Sequence, residues 1–118
     1  MSLPSGFEDD EMCFACGKGN PDGLHMEFEF DGEEVRTSLS FPGKFQGYKD
    51  VVHGGLVSTA LDEAMVTLLN RLGHLALTAE LVVRFVRPAR VNESLDITAR
   101  LVEKRGRIFR LEARATGA

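Results

Sequence analysis

His53, Gly54 and Gly55, followed by Asp62 nine residues after the histidine, are the residues whose types and spacing could do chemistry. The two glycines stand at the head of a long apolar stretch. Glycine lets a backbone approach a ligand closely. A helix N-terminus offers unpaired N–H groups and a positive dipole end. Together these could hold a developing oxyanion, and a carboxylate within an apolar helix is a candidate base.

The spacing carries a further consequence. A helix rises about 1.5 Å per residue, so Gly54 and Asp62 lie roughly 12 Å apart along its axis. Catalytic donors and bases act within about 3 Å of their targets. The two groups of one chain therefore cannot serve one small reacting centre. If both act, the site is shared between subunits, and two antiparallel copies of the helix would set Gly54 of one beside Asp62 of the other. A homodimer, with a dimer of dimers left open, is the expectation.

The elements that must position these groups are legible from periodicity. Val57, Leu61, Ala64, Met65, Leu68, Leu69 and Leu72 recur at helical spacing, which predicts a helix from Gly54 to about Leu72 with Gly73 as its stop. Leu56, Ala60 and Val66 widen its apolar arc, so it is expected to be central. Before it, Leu24, Met26, Phe28 and Phe30 alternate with polar neighbours, Asp31-Gly32 marks a hairpin, and Val35, Thr37, Leu39 and Phe41 supply the return. After it, residues 75–87 read as one long strand with Leu77, Ala79, Leu81, Val83 and Phe85 on one face, ended by Pro88. Leu95, Ile97, Ala99 and Leu101 mark another strand, Arg105-Gly106 a turn, and Phe109, Leu111, Ala113 and Ala115 the last. Residues 1–11 are expected to be a flexible tail, and 12–118 a single α+β domain in which one long helix packs on one curved antiparallel sheet.

Bulk properties bound the function. The chain has 118 residues, 43% of them hydrophobic, enough for one small core. Its net charge of -4 argues against nucleic acid as the main partner. No run of about 18 apolar residues could span a membrane. Two cysteines and no export signal suggest a reducing, cytoplasmic setting. Basic residues crowd the last third. Arg87, Arg90, Lys104 and Arg105 could meet the phosphates of an anionic ligand, and exposed charge at strand ends is an equally good account of them.

The order of elements and the His-Gly-Gly motif with Asp at plus nine resemble hotdog-fold acyl-CoA thioesterases of the phenylacetate-pathway (PaaI-like) type. The opening from Cys13 to Leu24 (Cys-Phe-Ala-Cys-Gly-Lys-Gly-Asn-Pro-Asp-Gly-Leu) and Phe85-Val-Arg-Pro88 resemble segments of that family too, so the likeness runs from about residue 13 to the end. The resemblance implies hydrolysis of an acyl-CoA to a carboxylic acid and free coenzyme A, with no metal or other cofactor. It implies that Asp62 is the general base or nucleophile. Gly54 would supply the N–H that polarises the thioester carbonyl, and His53 would orient the loop. Gln46 lies near the place of a water-positioning amide, and Thr78 near that of a hydroxyl beside the carboxylate. The basic residues 87, 90, 104 and 105 become candidates for the coenzyme A phosphates. Family members usually carry one more strand beyond the position of Ala118, so the last family strand is expected to be missing from this chain.

Plainer readings stand beside these. Asp62 could face solvent with Ser58 and Glu63, and His53 could be an ordinary hydrogen-bonded loop residue. Glu63 is by default solvated or in an ion pair. Cys13 and Cys16 form a single C-x-x-C; zinc needs two more ligands, so a structural turn with free thiols is the preferred reading. A hotdog dehydratase or hydratase would want an imidazole as its acid–base group. A non-catalytic acyl-CoA-binding domain would be indifferent to changes at Asp62.

Overall fold

A computed structural model describes residues 7–117. Two antiparallel hairpins and one long helix make up its regular structure. The elements run β1 (Glu29–Phe30), β2 (Glu34–Leu39), α1 (Gly54–Arg71), β3 (Leu95–Arg105) and β4 (Ile108–Gly117), with a single 3-10 turn at Gly43–Phe45. The strands form one antiparallel sheet in the order β1-β2-β3-β4, and α1 packs across β2, β3 and β4. This is the α+β arrangement expected from the sequence. No helix among the described residues is long and apolar enough to cross a membrane.

Alternation along the strands decides which face carries the core. On β3, Leu95, Ile97 and Ala99 are buried while their neighbours are not. Val35 from β2 pairs with Ala99, and Leu39 with Leu95, so one register stacks the apolar side chains on one face. From the other side α1 contributes Val57, Ala60, Leu61, Ala64, Leu68 and Leu69, the face that helical periodicity anticipated. Phe41, Leu68, Ile97 and Val35 are the largest fully buried side chains.

Turn chemistry fixes the connections. Asp31 Oδ1 accepts from the N–H groups of Glu33 and Glu34, and Gly32 takes a left-handed φ of 98°. Those backbone bonds hold the Asp31 carboxyl below its ordinary range, aided by the adjacent Arg36 guanidinium. β3 turns into β4 through Gly106, at φ 58°, and Arg107. At the end of α1, Gly73 has φ 93°, its N–H donates to Asn70 O, and the N–H of His74 reaches back to Leu69 O. That pair of bonds is a Schellman stop, which a Cβ at Gly73 would oppose.

Two expectations are corrected. Of the strand predicted from Leu24 to Phe30, only Glu29–Phe30 joins the sheet. His25 has φ 53°, which breaks the extended run, and Met26 is buried in the core with its N–H on Ala15 O. The long strand predicted over 75–87 is also not formed: these residues join no ladder. Alternation makes a segment suitable for a sheet, but a strand needs a neighbour for its N–H and C=O groups. β4 lies at the sheet edge with its outer side unpaired, and 75–87 forms no ladder with it. Val83 packs against the core, but several of the segment's apolar side chains stay in the open: Leu77 is 67% exposed, Val82 83% and Val86 79%. The tail expected over 1–11 falls outside the described residues up to residue 6; residues 7–11 are exposed and without regular structure.

Candidate active site

α1 starts under a tightly folded loop. Gly47 N–H donates to Val51 O, Val51 N–H to Tyr48 O, and Val52 N–H to Ala89 O. These bonds, with that of His53 N–H to Phe45 O at 2.9 Å, fix the residue that caps the helix. His53 has extended backbone angles, φ -58° and ψ 128°, and its Nδ1 accepts from Gly55 N–H at 3.0 Å. The imidazole thus performs the capping that a Ser or Asp oxygen usually performs. A Cβ on Gly55 would lie 3.2 Å from His53 Nδ1, so the second glycine leaves room for the cap. With Nδ1 occupied as an acceptor, a neutral His53 carries its proton on Nε2 and can donate from it.

Gly54 supplies the first N–H of α1, which has no intrahelical acceptor and no other among the described residues. The Phe85 ring lies over it: a Cβ on Gly54 would stand 3.4 Å from the ring Cζ. His53 and Gly54 open onto a cleft of about 600 Å³, walled by Tyr48, Val57, Phe85 and Val86 with Arg87 and Pro88 at one side. The wall is mostly apolar, and the helix end supplies the polar groups. An unpaired N–H at a positive dipole end, in an apolar cleft, is suited to a carbonyl oxygen that gains negative charge.

Asp62 lies elsewhere. It is half-buried, and it does not line the cleft at Gly54. Thr78 donates its hydroxyl to Asp62 Oδ1 at 2.6 Å, a short bond to one carboxylate oxygen. The 75–87 segment therefore touches both candidate regions of α1, Thr78 at the carboxylate and Phe85 at the free N–H.

The other sequence candidates separate. Arg87 borders the cleft. Arg90 is exposed beside it, in a bridge with Val51 that fastens the far end of the segment to the loop. Lys104 lies over the Phe109 ring and Arg105 pairs with Glu103, both at the β3–β4 hairpin and neither lining the cleft. Gln46 is exposed, and its Oε1 accepts from Asp50 N–H at 3.1 Å. Its side chain thus closes its own loop, whose Asp50 has a left-handed φ of 62°.

Sequence reasoning missed two things. The first is Phe85 as a lid over Gly54, hidden because its alternation read as a sheet face. The second is Glu63, which meets the N-terminal loop instead of solvent: Cys13 Sγ lies 3.9 Å from each of its carboxylate oxygens. Burial raises the Glu63 carboxyl above its ordinary range, with the Asp62 charge adding to this and the two thiols opposing it. The Cys16 thiol is pushed up in turn, first by desolvation and then by Glu63 beside it. No spacing rule connects residues so far apart in sequence.

Comparison with known proteins places this geometry. The sequence profile described as the thioesterase superfamily matches residues 49–117, a stretch that includes His53, Gly54, Asp62 and Thr78. No curated protein matches significantly. Among solved structures, the chain is similar to a thioesterase superfamily protein at 24% identity and a TM-score of 0.86. That match covers 98% of this chain but only 63% of the other, so this chain spans under two thirds of that protein's length. It is similar also to the E. coli PaaI protein from the phenylacetic acid degradation operon (17% identity, TM-score 0.75, 80% of this chain and 72% of that one). Mouse thioesterase superfamily member 2 matches at 16% identity and a TM-score of 0.71, over 78% of this chain and 74% of that one. At these identities the likeness establishes the fold, which is the hotdog arrangement of a long helix against an antiparallel sheet.

Proposed function

Because the chain belongs to the thioesterase superfamily, we propose that it hydrolyses an acyl-CoA thioester to a carboxylic acid and free coenzyme A. The observation that carries this reading is the free N–H of Gly54 at the head of α1, in an apolar cleft, with a carboxylate held two turns along the same helix.

The thioester carbonyl would enter the cleft and receive the Gly54 N–H. As the carbonyl carbon becomes tetrahedral its oxygen gains charge, and the N–H and the helix dipole favour that charged form more than the neutral one. Asp62 either removes a proton from the attacking water or attacks the carbonyl carbon itself, in which case loss of the thiolate leaves an anhydride that water then cleaves to the acid and free Asp62. Thr78 donates to one oxygen of Asp62 and so leaves the other for water or substrate. His53 holds the first turn through its bond to Gly55 N–H and has Nε2 available to the ligand. The thiolate of coenzyme A then departs. Arg87, at the cleft margin, is the basic residue best placed for its phosphates; Arg90 is a neighbour, while Lys104 and Arg105 could serve only a ligand reaching the hairpin.

Asp62 and Gly54 of one chain are too far apart to act on one carbonyl. The proposal therefore includes a homodimer in which the Gly54 of one chain works with the Asp62 of the other. The exposed apolar side chains of Leu77, Val82 and Val86 support it, since a second copy could cover them and give residues 75–87 the neighbour they lack.

Release of free thiol from aryl, medium-chain and long-chain acyl-CoAs tests the reaction, with Asp62→Ala in parallel. Hydrolysis by the wild type and its loss in the variant are expected. Tight binding of acyl-CoA without turnover across the panel would overturn the proposal in favour of a binding domain.

A further inference from the structure

We propose that Cys13, Cys16 and Glu63 form a binding site for a zinc-class divalent cation, a site independent of the thioesterase reading. Two thiols and a carboxylate converge there from segments fifty residues apart. One potential ligand atom from each lies within 4.8 Å of the other two, and Cys13 Sγ is equidistant, at 3.9 Å, from both oxygens of Glu63. Tetrahedral zinc has Zn–S of about 2.3 Å and Zn–O of about 2.0–2.2 Å, which sets its ligand atoms roughly 3.5–3.8 Å apart. The cluster needs to contract by only about 1 Å at its widest, within reach of side-chain rotation.

The loop is built to hold the thiols in place. Gly17 N–H donates to Cys13 O at 2.8 Å, folding the chain back over the first cysteine. A Cβ on Gly17 would stand 2.4 Å from Cys13 N, so only glycine permits this turn. The two residues between the cysteines are pinned from behind: Phe14 O accepts from Leu24 N–H and Ala15 O from Met26 N–H, and Ala15 is buried in the core. Glu63 projects from the rigid middle of α1. Both cysteines are free and the Cys13 side is open to solvent, which gives a cation an entry path and leaves the fourth position to water.

The donor set selects the ion. Paired thiolates favour zinc over magnesium or calcium, and one carboxylate with two sulfurs is a mixed set that zinc accepts. A cation here would tie the N-terminal loop to the helix turn that carries Asp62.

The test uses the full chain, reduced and freed of metal, with Co²⁺ as the optical probe and Zn²⁺ as competitor. One Co²⁺ per chain is expected, with a near-ultraviolet thiolate-to-cobalt band and the visible bands of tetrahedral coordination, all displaced by Zn²⁺. Cys13→Ser and Cys16→Ser should each roughly halve the thiolate band. Glu63→Gln should keep that band but alter the visible ones, and weaken affinity on the order of 10- to 100-fold or more. Circular dichroism of each metal-free variant separates lost binding from lost fold. Absence of the thiolate band in the folded wild type, or its persistence when both cysteines are serine, would overturn the site. Undiminished affinity in folded Glu63→Gln would overturn the assignment of Glu63 as a ligand.

Discussion

At the first turn of α1 the candidate catalytic group is a backbone N–H; two turns later it is a side chain. The difference extends to everything around them. Gly54 is framed by main-chain bonds of the 45–53 loop, capped through His53 and roofed by Phe85. Asp62 stands on an otherwise regular helix and is oriented by one hydroxyl, that of Thr78. A backbone donor must be placed by the fold, so it comes with glycines and a rigid loop. A carboxylate can be placed by choice of residue alone, and needs only a neighbour to fix its rotamer.

That contrast predicts how each region fails. Asp62→Asn keeps shape and removes the proposed base or nucleophile; hydrolysis should fall by roughly 10²–10⁴, measured as kcat/KM by thiol release, with the melting temperature nearly unchanged. Activity within twofold of wild type would remove Asp62 from the chemistry.

At Gly54 a side chain alone should matter less than the N–H. His53 is extended, a conformation that tolerates a following proline, and proline suits the first helical position. Gly54→Pro should therefore keep α1 and delete its donor, at a cost of about 10²–10³ in rate. Gly54→Ala retains the N–H, with its Cβ at ordinary contact distance from Phe85, and should lose far less. Equal losses in the two variants would mean that space, not the donor, is what Gly54 provides.

Thr78→Val leaves the carboxylate but frees its orientation. A loss of about tenfold or less in kcat/KM is expected. The smallest effect falls on stability: His53→Ala removes the acceptor of Gly55 N–H and should cost about 1 kcal/mol in denaturant unfolding. A stability loss in Thr78→Val larger than that in His53→Ala would invert the comparison, making the carboxylate region the more structural of the two.

The same contrast explains what could be read from the sequence. α1, its capping end and its Gly73 stop follow from helical periodicity and glycine placement, and β2, β3 and β4 from alternation at Val35, Ile97 and Ala113. His53, Gly54 and Asp62 are visible because the motif is local. Thr78 beside Asp62 is a contact across sixteen residues, suggested by family likeness and found at 2.6 Å. What local pattern cannot supply is a partner. Leu77 to Phe85 alternate like a strand, yet with no neighbouring strand they form none. Gln46 accepts the Asp50 N–H within its own loop, a contact that its residue type and position alone do not announce. Glu63 and the two cysteines meet only after the chain folds, so nothing in either segment announces the other.

The proposed sharing of one reacting centre between two chains is the central prediction. It is tested most directly by mixing Asp62→Asn with Gly54→Pro, each inactive alone, and allowing subunits to exchange. In a mixed dimer one site would combine the intact Gly54 of the first variant with the intact Asp62 of the second, while the other site would lack both. With random exchange half of the dimers are mixed, so roughly a quarter of wild-type activity should return. No recovery, with mixed dimers demonstrated by native mass spectrometry, would contradict the shared site.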